Sequence, residues 1–490
     1  MKKQNIQSQK KILIANRGEI AARVAKAILE MGHIPVGFFT DSEPNAYHLA
    51  FCQEWIYLSG NTHQETYLNI EKIVSLAKEH KIEAVHPGYG FLSENTLFAK
   101  ALEEKGIIFI GPNPKSILLM GDKAISKQEA LKAKIPVVPG PDNPIHTKEE
   151  ALSVAKEIGF PVLLKAVAGG GGRGMRICHT SEDVLKNFET VQREALSSFG
   201  KADLLLEKYI QNPRHIEVQV VGDKHGKVVH FFERECSIQR RHQKIIEEAP
   251  SPFVGEDQKL RHNICETAVR LAKHVGYDSA GTVEFIMGED RSFYFLEMNT
   301  RIQVEHPITE EITGVDLVSL MIEIAFGAPL PFQSQEEITL RGHSIECRIC
   351  VEHPFTFLPS PGTITATSWK QYPGIRFDHC LYSGLVVAPD FDPMLGKMIA
   401  TSLTREKAIK KMKMALSALF IEGVFSNISL LLFVLGEEDF LKGNFSTHYL
   451  EQKILKRPKE ELENLFDQSK ETFLSLLEKS LAIECSFSNN

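Results

Sequence analysis

The sequence predicts an α/β protein of several domains that opens with a doubly wound parallel sheet. Three observations carry this. Over about residues 10–120 short apolar strands alternate with helical stretches, as in βαβ units. Near residues 160–178 two strand-like runs flank a block of glycines, and a chain of 490 residues is too long for one core, so two to four domains are expected.

Composition narrows the partners. Apolar residues make up 43% and charged residues 24%, as in ordinary globular proteins. A net charge of −7 gives no electrostatic reason to expect nucleic acid or an anionic membrane, so anionic ligands must be held by local basic clusters. The eight cysteines are scattered. The one C-x-x-C, Cys347 to Cys350, lies in a strand-like run whose residues three apart face opposite sides, which argues against a zinc or redox pair. Residues 1–9 lack the apolar core of a signal peptide and the Arg-rich helix of a transit peptide, and no run is long enough to span a bilayer. The expectation is a reduced, cytoplasmic protein.

Residues 11–16 read as a parallel strand, followed by a helix over 18–31 with Ile20, Val24, Ala27 and Ile28 on one face. Strands follow over 35–40, 84–86 and 107–110. Only Gly18 stands at the first turn, so the dinucleotide fingerprint is missing and this sheet is not expected to bind a nucleotide. The loop over 86–95, with Gly88, Tyr89 and Gly90, sits at a strand's carboxyl end, where open α/β sheets place ligands. It equally suits a tight turn with a helix cap at Ser93. Lys123 opens a helix after Gly121-Asp122, and 136–144 is rich in Pro and Gly, as linkers are.

The glycines of 169–174 satisfy G-x-G-x-x-G, but 175–178 is strand-like where a dinucleotide motif needs a helix. A strand, a glycine loop and a strand make a mobile hairpin whose N–H groups can close over phosphates, with Lys165 beneath to neutralise charge; a plain surface loop is the alternative. Residues 204–210 form another strand, from which Glu207 can accept an adenine amino hydrogen. Over 215–223 the alternation puts His215 and Glu217 on one face. Residues 232–248 are either a solvated charge run or, with Gln239, His242 and Lys244 interleaved, an anion or nucleotide pocket.

The densest polar stretch is Glu297-Met298-Asn299-Thr300-Arg301-Ile302-Gln303-Val304-Glu305-His306-Pro307, directly after a strand-like run over 292–296. A carboxylate with an Asn two residues on suits an oxygen-ligated cation such as Mg²⁺. Arg301 offers a planar fork for a small oxyanion, and Glu305 can serve as a base beside it. Glu284 sits on the preceding strand, joined through a Gly288-Glu289-Asp290 turn, so two carboxylates from adjacent strands can share metal ions.

With these clusters in order, the chain closely resembles biotin carboxylase, the ATP-grasp component of acetyl-CoA carboxylase and related biotin-dependent enzymes, over roughly residues 10–450. The 297–307 stretch and Arg240-Arg241-His242-Gln243-Lys244 are specific to that family, whereas a glycine loop with two acids marks only the wider ATP-grasp group. The resemblance implies an N-terminal domain over 1–121, an ATP-grasp domain over 122–335 with a mobile glycine-rich lid at about 138–210, a C-terminal mixed α+β domain over 336–450, and a helical tail over 451–490. It implies that Lys123, Lys165, Gly171, Gly172, Glu207, Lys208, Tyr209, Ile210, His215, Gln239 and His242 contact ATP. By the same resemblance Glu284, Glu297 and Asn299 ligate Mg²⁺ (or Mn²⁺). Lys244, Arg301, Gln303 and the Val304 backbone hold bicarbonate with Glu305 as base, Arg348 binds phosphate and biotin, and Tyr89 lies on the biotin side. Cys350-Val351 after Arg348 departs from the usual polar-then-small pattern, which bears on local packing alone.

Lys411-Met412-Lys413-Met414 is similar to a biotinyl acceptor, yet Ala408, Met412, Ala415, Leu416 and Leu419 have helical spacing where an acceptor needs an exposed hairpin turn. Biotin is therefore expected as a substrate on a separate carrier protein, with carboxyltransferase subunits as further partners and a homodimer as the assembly. In the tail, Leu462, Leu465, Phe466, Phe473, Leu477 and Leu481 form an amphipathic pattern. Two rivals stand beside this reading. A carboxylate–amine ligase keeps the ATP and Mg²⁺ residues but has no use for Arg301 with Glu305 and Lys244, and a nucleotide sensor binds ATP without turnover.

Overall fold

A computed structural model of the chain describes residues 9–141, 143–166, 175–199, 203–240, 243–354, 356–389, 391–454, 456–458, 460–462 and 464. Two compact units emerge, one of Met1–Glu129, His215–Glu284 and Glu297–Asn490, the other of Ala130–Arg214 and Phe285–Leu296. Gly171, Gly172 and His242 lie outside the described residues, as do Leu465, Phe466, Phe473, Leu477 and Leu481 of the tail pattern.

The first unit begins with β1 (Lys11–Ile14), β2 (Ile34–Phe39), β3 (Glu54–Tyr57), β4 (Ala84–His86) and β5 (Ile108–Phe109), a sheet in the order β3-β2-β1-β4-β5. Every pairing in it is parallel, as the βαβ alternation predicts. The helix Gly18–Glu30 buries Ile20, Val24, Ala27 and Ile28, and ends one residue early because Gly32, at φ 76°, turns the chain out of it. In the 86–95 loop the helix cap is Asn95, not Ser93: the Asn95 side chain accepts from Phe98 N, because Asn95 directly precedes the helix Thr96–Glu103. Asn16 ties the loop down by donating to the carbonyls of Pro87 and Tyr89.

The second unit is built on β6 (Val162–Ala166), β7 (Met175–Cys178) and β8 (Leu204–Lys208), antiparallel in the order β7-β6-β8. Its core holds Ile145, Val162, Leu164, Val184, Phe188, Leu204 and Leu206. Residues 175–178 are thus a strand rather than the helix of a dinucleotide motif.

The largest sheet runs through β9 (Arg214–Gly222), β10 (Val228–Arg240), β11 (Gln243–Ala249), β12 (Ala280–Met287), β13 (Phe293–Asn299) and β14 (His343–Cys350), in the order β13-β12-β9-β10-β11-β14, and then through Met394–Ser402 and Ile375–His379. C-terminal strands therefore continue the sheet that carries the acids. Gly288 N donates to Ser292 O, closing the turn between β12 and β13. The strand expected over 292–296 extends to Asn299, so Glu297 and Asn299 are strand residues. Among the described residues Cys52, Cys178, Cys236, Cys265, Cys347, Cys350 and Cys380 are free and buried, and no helix is long and apolar enough to cross a membrane. Cys350 and Val351, the departure after Arg348, are both buried, and Val351 packs in the C-terminal core. The helix Arg405–Ser417 contains Met412-Lys413-Met414, with Ala408, Met412, Ala415 and Leu416 buried and Lys411 bonded to Thr401 O at 2.9 Å, so no acceptor turn exists there. Leu462 packs into the same C-terminal core.

Candidate active site

Side chains two apart on a strand face the same way, so Glu297 and Asn299 share a face of β13 beside Glu284 on β12. Asn299 Nδ2 donates to Glu284 Oε1 at 2.9 Å and Gln303 Nε2 donates to it at 2.8 Å. Lys244, from β11, donates to the same oxygen at 2.9 Å, and His215, from β9, stands 3.1 Å from Oε2. Burial alone would push the Glu284 carboxyl up, but Lys244 and His215 more than offset it and hold it well below the carboxylate range. Burial works against a charge on His215 too, yet Glu284 raises it to about 9.

Lys244 is the hub. Its ammonium also reaches Glu217 Oε2 at 2.5 Å and Glu305 Oε1 at 2.7 Å, so three buried carboxylates converge on one cation. Glu305 precedes the helix His306–Thr313, and Arg348 donates to its other oxygen at 3.0 Å. Burial favours the neutral acid, but Lys244 leads the groups that hold Glu305 ionised. Arg348 also donates to Glu247 at 2.6 Å. Burial and the charge on Glu305 outweigh Arg348 there and lift the Glu247 carboxyl to about 7. Arg301 Nη2 donates to Asn299 Oδ1 at 2.8 Å, and its Nε to Glu94 at 2.9 Å.

Glu297 is the unmatched acid. It makes no hydrogen bond among the described residues, and burial, then the charge of Glu284, raise its pKa, with Lys123 opposing. A half-buried carboxylate without a donor, beside a second carboxylate and an amide oxygen, is a donor set that fits a hard divalent cation. The donor atoms of His215, Glu217 and Glu284 lie closer together, within 4.8 Å of one another. Lys244 and Arg234 already meet Glu217 with N–H groups, and Lys244, Asn299, Gln303 and His215 meet Glu284, so Glu297 is the acid left open to a cation.

The remaining expected residues fall in three groups. Lys123 is exposed at the start of the helix Lys123–Lys132, and Gln239 is buried opposite Lys244 on the β10–β11 pair. Tyr89 gives its hydroxyl to Glu19, and the Val304 carbonyl accepts from Lys397. In the second unit, Lys165 meets Glu207 at 2.6 Å across the β6–β8 pair, Lys208 donates to the carbonyls of Gly159 and Phe160, and Tyr209 and Ile210 follow directly.

Three residues at the site are given no role from the sequence: Glu217, and Glu247 and Arg234 within the 232–248 run. The alternation over 215–223 already placed Glu217 on the face of His215, which was signal enough. Arg234 is not singled out within its run, because its fully buried fork gathers Glu217, Gln219, Thr282, Gln303 and Thr309 from separate stretches of chain.

Residues 8–117 match the family described as "Biotin carboxylase, N-terminal domain", 122–333 "Carbamoyl-phosphate synthase L chain, ATP binding domain" and 346–452 "Biotin carboxylase C-terminal domain". The chain is 50% identical over 444 residues to the 2-oxoglutarate carboxylase small subunit of Hydrogenobacter thermophilus, covering 90% of this chain and 93% of that one. It is 46% identical to biotin carboxylase 2 of Bacillus subtilis, covering 91% and 99%. Among solved structures, the biotin carboxylase–β-γ-ATP complex from Campylobacter jejuni is 44% identical with a TM-score of 0.83, covering 92% and 100%. The biotin carboxylase domain dimer of the Hydrogenobacter thermophilus enzyme, in complex with MgADP, ADP and bicarbonate, is 50% identical with a TM-score of 0.82, covering 91% and 98%. With relatives this similar along nine-tenths of its length, and with the acids of the β12–β13 hairpin meeting cations from β9 and β11, the chain belongs to the biotin carboxylase family of ATP-dependent ligases.

Proposed function

We propose that this chain carboxylates biotin on a carrier protein with bicarbonate, through carboxyphosphate, and that the residues of the β12–β13 hairpin and its flank do the chemistry. The observation that carries the reading is Lys244, whose ammonium joins Glu284 to Glu305 and so places a metal-side acid and a base around one cation. Glu284, Glu297 and Asn299 hold Mg²⁺ (or Mn²⁺), which when bound neutralises the nucleotide phosphates. Lys123, Lys165, Gly171, Gly172, Glu207, Lys208, Tyr209, Ile210, His215, Gln239 and His242 contact ATP. The family matches support an N-terminal domain over 1–121, an ATP-grasp domain over 122–335 and a C-terminal domain over 336–450.

Lys244, Arg301, Gln303 and the Val304 N–H orient bicarbonate, and Glu305 takes its proton. A bicarbonate oxygen then bonds to the γ-phosphorus as the bond to the bridging oxygen breaks, giving ADP and carboxyphosphate. Carboxyphosphate splits to CO₂ and phosphate. Phosphate, held by Arg348, takes the ureido proton of biotin, and Arg301 stabilises the enolate that captures CO₂, an electrostatic contribution of about 3 kcal/mol. Tyr89 stands on the biotin side.

For the final acceptor we propose acetyl-CoA, in a cytoplasmic complex of a homodimer of this chain with a biotin carboxyl carrier and carboxyltransferase subunits. The 50% identity to the 2-oxoglutarate carboxylase subunit favours a keto acid as the second reading. The test is ADP release that depends on bicarbonate and rises with free biotin. Release stimulated by an amine instead would make the chain a carboxylate–amine ligase, and the carboxyltransferase that co-purifies decides the acceptor.

A further inference from the structure

Lys397, on the strand Met394–Ser402, is fully buried. Its ammonium donates to the Val304 carbonyl at 2.6 Å, stands 3.2 Å from Glu19 Oε1 and lies 5.7 Å from the centre of the Tyr89 ring. Glu19 in turn accepts the Tyr89 hydroxyl. One cation thus touches the base loop directly and the tyrosine through a carboxylate. Burying an ammonium is unfavourable unless it is well paired, and the shortest contact here is to a neutral carbonyl rather than to an acid. Asp378, its cross-strand neighbour, is already taken by Arg376.

The carbonyl matters because of its neighbour. Gln303 O is held by His306 Nδ1 at 2.7 Å, and Val304 O by Lys397. With consecutive carbonyls pinned, both peptide planes around Val304 are set, and so are the direction of the Val304 N–H and the point from which the Glu305 side chain leaves. Loss of the second pin frees the 304–305 plane without touching the nucleotide residues.

We propose that Lys397 is a positioning residue, setting the Val304–Glu305 peptide for bicarbonate and, through Glu19, the tyrosine at position 89 for biotin. This rests on the roles given to Val304, Glu305 and Tyr89 above. Lys397→Met in the full chain should raise the KM for bicarbonate and for free biotin about tenfold each and leave the KM for ATP within about twofold. Glu19→Gln should raise the biotin KM alone, since the lysine still holds Val304. The double variant Lys397→Met/Glu19→Gln removes both buried charges, so its melting temperature should recover while both defects persist; it also carries the test if the single variant does not fold. Near-normal KM values in the double variant, or an ATP KM that moves with the others, would reduce Lys397 to an ion pair and overturn the proposal. A wild-type chain without bicarbonate-dependent ADP release overturns the underlying reading, whatever the variants do.

Discussion

The ammonium of Lys244 stands 2.7 Å from the carboxylate of Glu305, and among the described residues no other contact couples the base to Glu284 so directly. Glu217, Glu284 and Glu305 all stay ionised around it in spite of burial, with Lys244 the first cation to offset that burial in each case. Lys244→Met therefore leaves three buried carboxylates sharing too little positive charge. The expected result is a loss of about 100-fold or more in kcat/KM for bicarbonate and a stability loss of about 3–5 kcal/mol at pH 7. The stability loss should shrink towards pH 4, where the acids take up protons instead. Unfolding curves at the two pH values check the sign, and an equal loss at both would mean that the carboxylates are not what Lys244 serves.

Arg301 is held from two sides, by Asn299 and by Glu94, yet only partly buried. Its removal should leave the fold and ATP binding in place, because Glu94 keeps its bond to Thr300 N. Arg301→Ala is expected to lower biotin carboxylation by at least about 100-fold while nucleotide affinity stays within about threefold. Carboxylation near the wild-type rate would remove the guanidinium from the mechanism.

Among the described residues the Glu297 carboxyl lacks a hydrogen-bond donor, and it sits beside the charge of Glu284, which raises its pKa after burial. In Glu297→Gln the amide cannot supply the charge a divalent cation needs, so the Mg²⁺ concentration for half-maximal activity should rise about tenfold or more. Mg²⁺ titrations at saturating ATP measure it. An unchanged requirement would take Glu297 out of the ligand set.

Legibility in the sequence followed the range of the interaction. The parallel sheet was readable because βαβ alternation is local, and the β12–β13 hairpin because its turn and both acids lie within sixteen residues, from Glu284 to Asn299. His215 and Glu217 were placed on one face by alternation alone. Arg234 and Lys397 were not readable as individual residues, since each gathers partners from stretches far apart in the chain, and the 232–248 run that holds Arg234 does not single it out. The same limit hid the continuation of the acid-bearing sheet into β14 and Met394–Ser402, which is decided by edge pairing between strands far apart in the chain.

The last prediction concerns stability away from the chemistry. Glu248 on β11 is buried and accepts both Nε and Nη2 of Arg405 and Nε2 of His343. Burial pushes its carboxyl up, but Arg405 and His343 outweigh burial and bring it down to about 2. A carboxyl whose folded-state pKa lies below its unfolded value of 4.5 contributes stability that is complete above 4.5 and is lost as pH falls from there towards about 2. The difference amounts to roughly 3 kcal/mol. Arg405 also donates to the carbonyls of Phe440 and Leu441 and lies over the Phe440 ring, so it fastens the start of a helix to the sheet and to the segment beyond. Arg405→Met should thus destabilise the chain by about 3–5 kcal/mol at pH 7 and flatten the fall in stability between pH 4.5 and 2, with the KM values for ATP, bicarbonate and biotin within about twofold of wild type. Urea unfolding across that pH range is the measurement, and a variant that keeps the full acid-limb slope would show that Glu248 owes its low pKa to something other than Arg405.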